Sequence, residues 1–362
     1  MDKKNMRYLH YCACILVFLA LSVASESIIA ANTSGVMPVI VDTDMGWDDW
    51  IAIPYLLHSP RVEVKAISVV GTGISHCKEG LIHLQQLLDL VGKPDIPIAC
   101  GKEKPFLGNQ AFPKVMRESA DQLDNIILPP PSHERKMMLS AVELLNNTIG
   151  SSSDKIVLLA LGPLTNVADL LRKYPDIGNN IKEIVISGGT ISGQGNLNIP
   201  NVYKTDNKKA EWNMYADPVA VAIVLNSGLN IVLIPTDITS QFPITMKLAS
   251  DYKEKGNTKT AKFISNIFEF YRDNNRKGFD GLKLWDPVAV YGSLHLDDNT
   301  LVHTELNKLI IDSTYGSDSF GVLIPHEQGA LIRIVHSIDK EGFYSSLWQT
   351  LNYSAMATTL SH

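Results

Sequence analysis

Cysteine is scarce in this chain of 362 residues: there are four, and Cys12 and Cys14 lie in an apolar N-terminal run. Only Cys77 and Cys100 fall in the body of the chain. Two cysteines exclude the disulfide framework of small secreted scaffolds, and a core this large does not need one. They are free to pair in an oxidising compartment or to sit as buried thiols; their separation does not choose. Positive charge is lacking too. Thirty-two basic against 38 acidic residues leave a net charge of −6 without long single-sign runs. That argues against nucleic acid as a partner, because phosphate binding needs a basic face. A composition of 45% hydrophobic and 19% charged residues excludes disorder, and no internal repeat is visible.

The N-terminus reads as a secretory signal. Lys3, Lys4 and Arg7 precede the apolar run YCACILVFLALSVA, and Ser22-Val23-Ala24 offers small residues for cleavage. The run is short for a membrane-spanning helix. The expected organisation is a signal over 1–24, a linker over 25–36 and a single α/β domain over 37–362. Export to the periplasm or the exterior follows, with no stable membrane association once the signal is removed.

Short β-branched runs alternate with helical patterns along the rest of the chain. The predicted strands are MPVIVD (37–42), VKAISVV (64–70), KIVLLAL (155–161), EIVIS (183–187), NIVLIP (230–235) and KLIID (308–312). Most are continuously apolar, as in strands covered on both faces. Between them lie DWIAIPYLLH, EGLIHLQQLLDLVG, MLSAVELLNN, LTNVADLLRKY and DPVAVAIVLNS, which read as helices. The alternation predicts a single doubly wound, mostly parallel, Rossmann-like sheet with helices on both faces. A charged helical region over 242–279 is expected to cap it. LPPPSHERK (128–136) and the long polar stretch 187–213 interrupt the rhythm as loops.

Ligands of open α/β sheets sit at the carboxyl ends of the strands. Polar residues collect there four times: Asp42 to Asp49, Gly71 to His76, GPLTN (162–166) and SGG (187–189). The first of these, within VIVDTDMGWDDW, holds Asp42, Asp44, Asp48 and Asp49 without a lysine or arginine. A helix dipole accounts for Asp48 and Asp49 but not for Asp42 and Asp44. A hard cation with oxygen ligands, calcium above all, removes the repulsion, and the lack of cysteine and histidine argues against zinc.

VDTDMGWDD resembles the D-x-D-x-G-x-D-D signature of the nucleoside hydrolases, which cleave the N-glycosidic bond of ribonucleosides using calcium. LALGPLTNVA, SGG, GN (195–196), AEWN (210–213) and WDPVAVY (285–291) resemble the later motifs of that family, in order. The resemblance implies that Asp44, Asp49, Asp286 and the Leu161 carbonyl ligate calcium. It implies that Asp44 is also the base that deprotonates the attacking water, and that Asp48 binds the ribose 2′-hydroxyl. Asn196, Glu211 and Asn213 would hold the 3′ and 5′ side of the sugar, while Asp42 orients a ligand. A ribonucleoside substrate and a homodimer or homotetramer are expected on the same ground.

The base half departs from the commoner pattern. Trp285 stands where many members have a histidine, which resembles the purine-specific subgroup, whose two indoles stack the base. Purine nucleosides are therefore the expected substrates. FPKVMRE (112–118) resembles the loop carrying the second indole, with Met116 in its place. Thr72 stands where many members have asparagine, and His76 is a candidate donor to the leaving base. Two other readings fit less well. A haloacid-dehalogenase-type phosphatase would use DTDMG but leaves Asp48, Asp49 and AEWN without a role. A non-catalytic exported nucleoside- or sugar-binding protein would not need Asp44.

Overall fold

The computed structural model describes residues 35–132, 139–274 and 282–352. The expected signal, linker residues 25–34, and parts of the proline-rich loop and of the cap lie outside the described residues. The described residues from Met37 onward belong to one compact unit.

Among the described residues nine strands form one sheet: β1 (Met37–Thr43), β2 (Val62–Val69), β3 (Ile98–Cys100), β4 (Ile156–Ala160), β5 (Ile181–Ser187), β6 (Ile231–Ile234), β7 (Val302–Ile311), β8 (Leu323–Pro325) and β9 (Ala330–Ile338). Their order is β3-β2-β1-β4-β5-β6-β9-β7-β8. The first seven in that order run parallel, whereas β7 is antiparallel to both β9 and β8. The mostly parallel, mixed α/β sheet read from the sequence is therefore the fold.

Side-chain alternation explains why these strands are continuously apolar. Val39 and Val41 of β1 join one core with the helix Asp49–His58, while Ile40 joins a second core with the helices Ala141–Ser151 and Thr165–Lys173. Successive residues point to opposite faces, and here helices cover both. Asp49–His58 is buried from Asp49 to Leu57, so it has no polar face to expose. Helices Met246–Lys255 and Lys259–Asn274 occupy the region read as a cap.

Three strands have no counterpart in the sequence reading. β3 and β8 are three residues long, and β9 mixes exposed and buried positions, so none presents a long apolar run. Their strand character comes from pairing with neighbours. The stretch FPKVMRE is not a loop: Lys114–Asp121 is a helix that buries Arg117 and Ala120.

The chain runs outward from β1 through β2 to β3, then returns to place β4 on the other side of β1. That reversal opens a crevice at the carboxyl ends of β1 and β4. The register there pairs Asp42 with Ala160, so the residues that follow each stand at its mouth.

Cys77, the first residue of the helix Cys77–Leu90, is bonded to Cys100 at the end of β3, with a Cα separation of 5.6 Å. The bridge clamps the segment directly after Gly71–His76, which touches the crevice. Cys77→Ser with Cys100→Ser is expected to lower stability by about 3 kcal/mol, from loop-closure entropy across a separation of 23 residues. Urea unfolding of both proteins measures the difference, and reductant should shift only the parent.

Candidate active site

Asp42, at the end of β1, is fully buried. Its Oδ1 accepts from Ser68 Oγ at 2.6 Å and from Asn166 Nδ2 at 2.8 Å, and Asn166 also donates to the Val69 carbonyl. Asp42 thus ties the ends of β1 and β2 to the start of the helix Thr165–Lys173 behind the crevice. Burial pushes its carboxyl up to about 7.

The next residues fold back sharply. Met45 takes a left-handed conformation, φ 58°, and its N–H donates to Thr43 Oγ1 at 3.0 Å. The Thr43 hydroxyl donates to Asp49 Oδ1, and the Gly46 N–H donates to Asp49 Oδ2 at 2.8 Å. This turn brings Asp44 back toward Asp48 and Asp49. Asp44 is held by the loop after β2: the Ile74 N–H donates to its Oδ2 at 3.2 Å, and the Ser75 N–H to its carbonyl at 3.1 Å.

Two glycines make room for Asp44. A Cβ on Gly73 would lie 2.0 Å from the Asp44 Cβ, and one on Gly162 would lie 2.8 Å from it. The clashing atom is anchored to the backbone, so a methyl group must displace Asp44 itself. Gly73→Ala is expected to lower kcat/KM about a hundredfold, since a shift near 1 Å in a reacting group has that effect. Steady-state turnover of the expected ribonucleoside substrates beside a melting curve would check it.

Asp286 opens the helix Trp285–Leu294 and reaches the same place. Its Oδ1 accepts from Ser187 Oγ at 2.9 Å, and its N–H donates to Asp48 Oδ2 at 3.3 Å. Asp48, Asp49 and Asp286 can each bring one oxygen within 4.8 Å of the others. Asp44 is not part of that trio but is close enough to repel Asp286, Asp48 and Asp49. All four carboxyls are raised, first by burial; repulsion by their neighbours adds to it at Asp48, Asp49 and Asp286. Among the described residues no lysine, arginine or histidine forms an ion pair with any of them. The nearest compensation is buried Arg117, which donates to the carbonyls of Gly71 and Ser75 and lowers Asp44 by its charge. A dense set of hard oxygens without sulfur or imidazole fits a hard divalent cation.

The opposite side of the crevice is polar and preorganised. Glu211 caps the helix Trp212–Ala216, accepting from the N–H groups of Asn213, Gly189 and Met214 at 2.9–3.3 Å. Asn196 Oδ1 accepts from the Trp212 N–H at 2.9 Å. Asn213 Nδ2 donates to the carbonyls of Leu161 and Ser187, at 3.1 and 3.2 Å. Gly188, φ 137°, lies where a Cβ would come 2.8 Å from Glu211.

These groups face one cleft of about 420 Å³. Asp44, Asp48, Leu161, Asn196, Glu211, Asn213 and Asp286 line its polar part, and Met116 and Trp285 line its apolar part. Asp49 sits behind, fully buried. Thr72 and His76 are not among the lining residues. Thr72 Oγ1 is bonded to Thr165 Oγ1 at 2.8 Å in the interior, and His76 Nδ1 pairs with Asp121 Oδ2 at 2.6 Å. The strand-end loop containing both turns inward through Ile74, which does line the cleft. The sequence reading also missed Trp47, Phe112, Ile199, Trp212 and Leu282. Trp47 had a signal, an aromatic residue inside the acidic turn, and Phe112 and Trp212 lie within the quoted stretches FPKVMRE and AEWN; Ile199 and Leu282 had none.

An open α/β sheet with an acid-lined, half-apolar cleft at its switch point defines a protein with a small-molecule site at its strand ends. The family model of the inosine-uridine preferring nucleoside hydrolases matches residues 39–345, and the chain belongs to that family, hydrolases acting on N-glycosyl compounds. It is 32% identical over 330 residues to the pyrimidine-specific ribonucleoside hydrolase RihA of Salmonella paratyphi C, covering 88% of this chain and 99% of that one. It is 34% identical over 263 residues to the probable uridine nucleosidase 2 of Oryza sativa subsp. japonica, covering 71% and 74%. The solved plant nucleoside hydrolase PpNRh1 superposes with a TM-score of 0.76 at 25% identity, covering 88% of this chain and all of that one.

Proposed function

We propose that this nucleoside hydrolase is exported, uses calcium, and releases ribose and free base from ribonucleosides, purine nucleosides being favoured. The observation that carries the reading is the convergence of Asp44, Asp48, Asp49 and Asp286, without ion-paired cations, beside Glu211 and Asn213. Asp44, Asp49, Asp286 and the Leu161 carbonyl would hold the ion, with Asp48 near enough to contribute. Calcium, when bound, supplies charge compensation for the acids and Lewis acidity toward water and the ribose hydroxyls.

Asp44 takes a proton from the water that attacks the anomeric carbon. The Ile74 N–H and the two flanking glycines fix its carboxylate, and burial raises its affinity for that proton. Asp48 accepts from the 2′-hydroxyl, while Glu211, Asn213 and Asn196 hold the far side of the sugar. As the N-glycosidic bond breaks, its electron pair passes to the base nitrogen, which takes up a proton from solvent water. Anionic side chains around the ring stabilise the positive sugar that develops. No histidine lines the cleft among the described residues. Stacking on tryptophan, which makes the base easier to protonate, is therefore the better support for its departure than His76.

Three indoles line the cleft, and two of them, Trp47 and Trp285, meet in one aromatic wall that favours the larger purine ring. A pyrimidine preference is the second reading, favoured by the 32% identity to a pyrimidine-specific hydrolase. Ribose release from inosine, adenosine, guanosine, cytidine and uridine, with and without chelator, separates the two. No ribose from any of them would sink the activity, and chelator-insensitive release would sink calcium. Mass spectrometry of the N-terminus of protein recovered outside the cytoplasm tests export, and light scattering tests the homodimer or homotetramer.

A further inference from the structure

The acid turn carries an aromatic residue whose placement is more elaborate than packing alone demands. Trp47 stands between Asp44 and Asp48 and lines the cleft. Its neighbour Gly46 is pinned by the bond to Asp49, so the indole starts from a rigid backbone. The ring meets Trp285 edge to face, centroids 6.1 Å apart and planes at 69°. At that spacing no base fits between the two indoles, and they form one continuous wall. Trp47 also contacts the ring of Tyr271, on the helix Lys259–Asn274, at 5.0 Å.

Tyr271 is itself anchored from behind. Its hydroxyl donates to Asp124, a buried carboxylate that also accepts from Ser119 Oγ. Asp124 lies in the middle of three consecutive residues, Leu123, Asp124 and Asn125, with φ of 50°, 49° and 61°. L-residues visit this left-handed region singly, and a run of three non-glycine residues is strained. Burying a carboxylate also costs stability. A phenylalanine at 271 would fill the same space against Trp47 without the strained turn or the buried acid. The hydroxyl, the acid and the turn have one common effect, which is to set the orientation of a ring that touches an active-site indole.

We propose that Trp47 determines specificity for the nucleobase, and that Tyr271, held by Asp124, is the positioning residue that fixes its indole. The inference rests on the nucleoside-hydrolase reading above. An indole fixed in place presents a face that the two rings of a purine cover more fully than the single ring of a pyrimidine.

The test compares kcat and KM for inosine and uridine in the parent, Tyr271→Phe, Trp47→Leu and the double variant, each shown folded by its melting curve. Tyr271→Phe is expected to lower kcat/KM about fivefold for inosine and less than about twofold for uridine, the loss falling on KM. In the Trp47→Leu background the same change should leave the inosine-to-uridine ratio unmoved, because the ring it positions is gone. A purely structural role would lower both substrates equally and act additively with Trp47→Leu; either result overturns the proposal. If Trp47→Leu does not fold, Trp47→Met, which also removes the ring, takes its place with the same criteria. A parent that releases no ribose overturns the hydrolase reading, and this inference with it; an active parent with unshifted ratios overturns this inference alone.

Discussion

Asp44→Asn is expected to lower ribose release by at least about a thousandfold, within the range that loss of a positioned general base produces. Asparagine has the same shape and its carbonyl still accepts from the Ile74 N–H, so the packing between Gly73 and Gly162 survives. What is lost is an oxygen that can take a proton. The companion measurement is binding of a ribose-like inhibitor by calorimetry in saturating calcium. Asp48, Glu211 and Asn213 are untouched by the change, so affinity should fall far less than turnover. A variant that keeps its turnover would remove Asp44 from the chemistry; a variant that loses inhibitor binding and turnover together would assign it to holding the ion or the fold rather than to proton transfer.

Removing divalent cations with a chelator is expected to abolish turnover and lower the melting temperature, and calcium should restore both. Calcium at a hundred times its dissociation constant would stabilise the folded chain by about 2.7 kcal/mol. The size of that effect should depend on pH in a defined direction. Burial raises Asp42 to about 7 from an ordinary 3.8, and moves Asp44, Asp48, Asp49 and Asp286 the same way. A carboxyl raised on folding binds more protons in the native than in the unfolded state. Its contribution to stability is therefore greatest in acid and declines as pH rises from the unfolded value toward the folded one. In the cation-free protein these groups lose stability between about pH 4 and pH 7, and a cation that replaces their protons should offset the loss. The calcium-induced rise in melting temperature is thus expected to be larger at pH 8 than at pH 5. An equal rise at both values would mean that the ion binds elsewhere.

Much of this was legible in the residues themselves. The helix Asp49–His58 was read to its ends, because an acidic N-terminus followed by an apolar run leaves little choice. β1, β4, β5 and β6 were visible as continuous apolar runs. β3, β8 and β9 were not, since their strand character comes from partners rather than from composition. Nine expected site residues line one cleft, all close to strand ends, capping positions or helix starts. Thr72 and His76 went elsewhere because proximity in sequence to a strand end does not say which way a loop residue turns.

By itself the sequence determined six of the strands, most of the helices between them, and the acidic set. These are local properties: periodicity and charge density. Only the tertiary structure decided that Trp47 and not Met116 stands beside Trp285, and that Tyr271 and Asp124 back it. It also decided that Cys77 meets Cys100. Contacts between residues on different elements, 23 positions apart for the two cysteines and more than a hundred for the others, depend on how the sheet orders its strands and how each loop packs over its edge. That geometry is set by burial of the whole core, which no short stretch encodes.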